Sequence, residues 1–230
     1  MEDDLLDFNF WPSFADLMLA LVLVLLLLLS LFTVVITAGT VNLEHVKQRQ
    51  MGVVKFIADS YGANAEPLPG EKDAYGVAIG RAQVYDIEVR NEPTLQRITF
   101  SDKILFDKNK YAINDAGQGV LLKVGTALKN ELPNIREIQI QGHADTDQTK
   151  TYGSNVHLAA WRAIEVFTFL QERVGIDPAA HLMSATSFGE YKPVTRTTDG
   201  APYERERLGR DNQTEELKAK NRRIELLLFY

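Results

Sequence analysis

The chain has 230 residues, with 25 Lys and Arg against 31 Asp and Glu for a net charge of −6, and no cysteine. The missing thiols exclude a disulfide scaffold, a Cys-ligated zinc or iron–sulfur site and a thiol nucleophile. The acidic balance argues against a nucleic-acid partner, because no basic stripe stands outside the last 30 residues.

The apolar content is not spread evenly. Thirteen consecutive apolar residues, Leu17 to Leu29, open a stretch without a charged side chain until Glu44. The run from Leu17 to Ile36 is 20 residues, and at about 1.5 Å per residue it matches the ~30 Å hydrocarbon core of a bilayer. A secretory signal would need a basic start, a shorter run and a small-residue cleavage site. Residues 1–10, MEDDLLDFNF, are acidic and no Ala-x-Ala follows, so a retained membrane helix is expected over 12–38, after a cytoplasmic start at 1–11. Pro12 suits a first helical turn, and Phe8, Phe10, Trp11 and Phe14 form an aromatic belt at that interface. Lys47, Arg49 and Lys55 follow the span while no Lys or Arg precedes it, which by the positive-inside rule favours a cytoplasmic carboxyl side. The helix is expected to continue through VNLEHVKQRQMGVVKFIADSYG, with Val46, Val53, Val54 and Ile57 at helical spacing.

Asp16 is the first residue that carries chemistry. It stands one turn inside the helix start and is followed only by apolar side chains, where a central Asp costs roughly 2.5–3.5 kcal/mol on insertion scales. The plainer reading is a hydrated acid favoured by the positive helix end. The functional one is an ion-carrying carboxylate that changes protonation as it meets a pathway made with a partner protein.

Residues 64–76, NAEPLPGEKDAYG, mark a loop, and 39–94 are expected to be stalk and linker ahead of a folded domain at 95–230. Within and before that domain, strands are expected at 83–90, 98–106, 135–143, 181–189 and 222–230. Amphipathic helices are expected at 116–132, ended by Pro133, and at 156–175, closed by Gly175. Residues 195–220 read as an inserted loop with a short helix near 214–220. The order of elements gives a two-layer α/β domain.

The runs ILFDKNKYAINDAGQGVLLKVGTALKN, IQGHADTD and YGSNVHLAAWRAIEVFTFLQERVGIDPAAHLMSATSFGEYKPV, with NRRIELLL at the end, resemble the peptidoglycan-binding OmpA-like domain over about 130 residues. The family's Gly-His-Thr-Asp turn stands here as Gly142-His143-Ala144-Asp145, its downstream Asn as Asn155, its Leu-Ser-x-x-Arg-Ala helix as Leu158 to Ala163, and its closing motif as Asn221-Arg222-Arg223-Ile224-Glu225. The resemblance implies that Asp145, Asn155 and Arg162 bind peptidoglycan. A carboxylate at Asp145 would receive an ammonium and the planar fork of Arg162 a carboxylate, as on the free end of a diaminopimelate side chain. Ala144 and Ala159 depart from the motif, and the plainer reading of Asp145 and Arg162 is a surface pair worth about 0–1 kcal/mol. His143, Asp145 and Asp147 alternate but lack a fourth metal ligand, no Ser has a His/Asp signature, and no phosphate loop is present; neither an enzyme nor a cofactor is expected.

The segment from Phe10 to Met18 leading into one span, then an OmpA-like domain, resembles the B subunits of ion-driven stator motors, a group that holds the flagellar MotB and the ZorB subunit of Zorya anti-phage defence. That resemblance assigns Asp16 as the ion-carrying residue, with protons favoured over sodium. It also implies a homodimer inside a ring of five A subunits, an inner-membrane protein with a cytoplasmic amino terminus and a periplasmic carboxyl domain, and so the opposite orientation to the flank charges. The acidic start and the short path from span to outer domain favour the Zorya type over the flagellar one. The rival reading is a passive tether from membrane to cell wall.

Overall fold

The computed structural model describes residues 10–79, 85–149, 151–196 and 203–230. Contacts divide the chain into two units after His45. The first is the apolar part of helix α1, Trp11–Ser60, which is long and apolar enough to cross a membrane and whose residues 11–45 bury no side chain within the protein. Thr33 and Thr37 donate their hydroxyls to the carbonyls of Leu29 and Thr33, each at 2.8 Å, so these polar groups are satisfied inside the helix itself.

The second unit, Val46–Tyr230, includes the end of α1. Val53, Val54, Ile57 and Ala58 are buried in its core, as the helical spacing of the first three predicts. The strands are β1 (Glu66–Pro67), β2 (Ala74–Val77), β3 (Ile87–Asn91), β4 (Leu95–Ser101), β5 (Glu137–His143), β6 (Leu182–Gly189) and β7 (Arg223–Phe229). Interleaved with them are α2 (Asp102–Leu105), α3 (Asp115–Glu131), α4 (Asn155–Phe169), α5 (Arg205–Arg210) and α6 (Glu215–Asn221). Among the described residues, seven strands form one sheet in the order β1-β2-β3-β4-β7-β5-β6. All neighbours are antiparallel except β5 and β6. That parallel pair requires a crossover, and α4 supplies it.

The domain begins earlier than expected. Residues 46–58, 66–77 and 87–91, assigned to stalk and linker, contribute a core helix and three strands. The cause is pairing: Ile87 and Val89 lie opposite Phe100 and Ile98 and are fully buried with them, so β4 needs this extension to cover its apolar face. The strand expected over 98–106 stops at Ser101, and Asp102 opens a helical turn instead. The Asp102 N–H donates to the Arg222 carbonyl at 3.0 Å, which turns the chain out of the sheet. The helix expected over 156–175 ends in a π turn at Leu170–Val174 and is closed by Gly175 at φ 79, in the left-handed region. Parts of several expectations lie outside the described residues: 1–9 of the start, with Phe8 of the aromatic belt, 80–84 of the stalk and linker, with 83–84 of the first strand, and 197–202 of the inserted loop.

Candidate ligand-binding site

Asp16 stands exposed on α1. Phe10, Trp11 and Phe14 cluster one turn before it, with the Trp11 and Phe14 rings 5.9 Å apart and perpendicular, an amphipathic collar of the kind found at a membrane interface.

The other site residues gather where β5 ends and α4 begins. A close approach fixes that junction: a Cβ on Gly142 would lie 2.1 Å from the Ala159 carbonyl oxygen, so only glycine lets α4 descend onto β5 here. Ser154 caps α4 by accepting from the His157 N–H. The next residue, Asn155, donates to the Asp145 carbonyl at 3.0 Å and accepts from the Thr149 N–H at 3.1 Å, pinning both ends of the intervening loop. One side chain thus satisfies a buried acceptor and a backbone donor together.

Asp145 and Arg162 are both buried, at 4% and 3% exposure, which removes the surface-pair reading. Each has a partner the sequence reading did not name. Asp145 accepts from the Asp147 N–H at 2.9 Å and from Arg222. Arg162 places Nη1 2.7 Å from Asp102, donates Nε to the Lys110 carbonyl at 2.9 Å and lies over the Phe106 ring. The two pairs are tied through the backbone by the Asp102 N–H to Arg222 carbonyl bond. Burial pushes the Asp102 carboxyl up against the pull of Arg162 and Arg222, and burial draws Arg162 down. Both shifts run toward the neutral forms, so desolvation outweighs attraction and the pair holds position at a cost in stability.

Around this buried floor the charges turn outward. Arg222 reaches Glu215 at 2.6 Å with its other amino group, and Lys218 Nζ lies 2.5 Å from Asp147. Tyr111, Tyr152 and Trp161 form an aromatic rim, with Tyr111 5.6 Å from Tyr152 and 5.7 Å from Trp161. Beside the floor, His143 is stacked on Phe188 at 5.3 Å, and its pKa is lowered to about 3, by burial first and by Arg223 second. Among the described residues no three His, Asp or Glu side chains converge as metal ligands. Asp102, Arg222 and the rim were missed by sequence reasoning. Asp102 lies outside the OmpA-like motifs, whereas Arg222 lies within the closing one.

Residues 105–207 match the OmpA family. Motility protein B of Bacillus subtilis (strain 168) is 33% identical over 134 residues, which is 57% of this chain and 44% of that protein. The chain therefore aligns with less than half the length of that relative. A crystal structure described as a MotB-like protein of Desulfovibrio vulgaris superposes with a TM-score of 0.61 at 17% identity, covering 84% of this chain and 98% of that one. The periplasmic domain of Helicobacter pylori MotB gives a TM-score of 0.53 at 21% identity, over 69% of this chain and 88% of that one. The chain joins one long apolar amino-terminal helix to a mixed α/β OmpA-like domain, the fold of the MotB-like structures.

Proposed function

We propose that this protein is the wall-anchored B subunit of an ion-driven membrane motor. One observation carries the reading: a single chain joins an apolar helix with an acid one turn inside its start to an OmpA-like domain that holds buried, opposite charges at Asp145 and Arg162. In this reading Asp145, Asn155 and Arg162 build the floor on which a zwitterionic end of the peptidoglycan peptide is held. Asp16 carries the ion, a proton, between the cytoplasmic and periplasmic sides of the inner membrane, with the amino terminus inside and the domain outside. Two copies thread a ring of five A subunits. Each charge crossing 100 mV supplies about 2.3 kcal/mol, enough to bias a step between two ring contacts of different proton affinity.

The Zorya type of this motor is favoured by the short path from the membrane. The apolar run ends at Ile36 and the second unit starts at Val46, so only residues 37–45 intervene. A flagellar stator subunit is the alternative, and neighbouring genes for a helicase or nuclease rather than chemotaxis proteins separate the two.

The test is Asp16→Asn in vesicles carrying the complete assembly. Ion flux is expected to stop while purified sacculi are still retained. Undiminished flux in that variant leaves only a passive tether.

A further inference from the structure

The charges that the fold buries are not those a ligand meets first. Asp145 and Arg162 have almost no free surface, and each is already held by protein partners. The groups that carry this charge outward are Asp147, whose side chain is 62% exposed, and Arg222. Both are occupied from one direction. Arg222 binds Asp145 inside and Glu215 outside, and Asp147 binds Lys218. Glu215 and Lys218 are three positions apart on α6, so one helical turn presents a carboxylate and an ammonium side by side.

We propose that Arg222 and Asp147 take the carboxylate and the ammonium of a zwitterionic amino-acid end, and that α6 fills both positions in the free chain with Glu215 and Lys218 as an internal stand-in for that ligand. The ligand class rests on the wall-binding reading above. The exchange keeps the two receiving groups paired: a ligand carboxylate replaces Glu215 on Arg222 and a ligand ammonium replaces Lys218 on Asp147, while the released Glu215 and Lys218 side chains pass into water. The buried pairs stay closed throughout. Only exposed pairs are given up, and such pairs contribute little. The Glu215 side chain is 73% exposed, so its release uncovers no core.

The build of α6 fits a displaceable cover. It is seven residues long, its first turn is capped by Thr214, and its sole buried residue is Asn221 at the far end. Asn221 donates to the Asp211 carbonyl and to Asn212 and accepts from the Val194 N–H, so the carboxyl end is a fixed hinge about which the Glu215 end swings. If the two ion pairs served only to hold α6 in place, removing them would leave binding unchanged or weaken it. An internal competitor predicts the opposite sign.

The test uses the full chain in detergent micelles, with free diaminopimelic acid and purified sacculi as probes. The double variant Glu215→Gln, Lys218→Gln is expected to bind diaminopimelic acid about tenfold more tightly than the wild type, the combined worth of two exposed pairs. Equal or weaker binding overturns the stand-in. Asp147→Asn, an exposed position without risk to folding, is expected to lose about tenfold, and unchanged affinity removes Asp147 from the site. Amide exchange across 215–221 is expected to accelerate when diaminopimelic acid is added to the wild type, and slower or unaltered exchange overturns the displacement of α6. Arg162→Gln on sacculi separates the two levels. Loss of retention in that variant together with no gain in the double variant sinks the stand-in alone, whereas a wild type that ignores sacculi sinks the wall-binding reading and the stand-in with it.

Discussion

Arg162 is held by Asp102, not by Asp145: its Nη1 stands 2.7 Å from Asp102 Oδ1, with the two side chains 4% and 12% exposed. Removing one partner of such a pair strands a buried charge. Asp102→Ala is expected to destabilise the domain by about 3–5 kcal/mol. Replacing both partners, Asp102→Leu with Arg162→Met, removes the stranded charge and is expected to recover most of that loss. Urea unfolding of the full chain in micelles measures both. The double variant should fold and fail to retain sacculi, which separates the part Arg162 plays in shaping the site from its part in holding the domain folded.

Acid sensitivity is expected to begin near neutral pH and to come from His143. Its ring is 1% exposed, neither nitrogen has a hydrogen-bond partner among the described residues, and Arg223, Lys192 and Glu225 face it. The folded-state pKa is lowered from 6.5 to about 3, so below pH 6.5 the unfolded chain binds a proton that the folded one refuses, and stability falls as pH drops through that window. Glu225 acts lower. Burial raises its pKa, but Arg223 chiefly outweighs burial and holds it at about 2, so its contribution is present above 4.5 and is lost between there and about 2. His143→Phe keeps the stack on Phe188 and leaves no nitrogen unmet. The melting temperature of that variant should stay flat from pH 6.5 to 5, where the wild type declines, and should still fall below 4.5; a parallel decline in both proteins excludes His143.

Periodicity made the long elements legible. Val120, Leu121, Val124 and Leu128 pointed to α3, and all four are buried in it. Alternation in β5 was weaker, because Gly142 and His143 at its end are buried as well. What escaped were β1 and β2, whose two and four residues carry no pattern long enough to read and which extend the sheet from β3, a strand that overlaps the one expected at 83–90. The site was half legible for a similar reason. Asp145, Asn155 and Arg162 sit in motifs, whereas the Asp102–Arg162 pair joins residues 60 positions apart and only the tertiary fold brings them together.

Gly142→Ala is expected to be among the most damaging single-methyl changes in the domain. Its Cβ would meet the Ala159 carbonyl oxygen at 2.1 Å, and that atom belongs to the α4 backbone and has no side chain to rotate away. Relief requires α4 to lift from β5, a cost of about 3 kcal/mol. Because α4 carries both Asn155 and Arg162, sacculus retention should fall with it. Gly119→Ala on α3 serves as the control, since nothing lies within 4 Å of its Cβ, and it should be neutral or slightly stabilising.

Asn155 separates the positioning of Asp145 from the folding of α4. Asn155→Ala deletes the donor to the Asp145 carbonyl and the acceptor for the Thr149 N–H, leaving a buried carbonyl unmet, and about 2 kcal/mol of destabilisation is expected. Asn155→Asp keeps the acceptor and places a negative charge at the first residue of α4, where the helix end favours it. It nevertheless loses the donor and sets a second carboxylate beside the Asp145 loop. Its stability should lie between that of the wild type and that of Asn155→Ala, while sacculus retention should fall as far as in Asn155→Ala. If retention instead follows stability across the three proteins, Asn155 does no more than hold the loop folded.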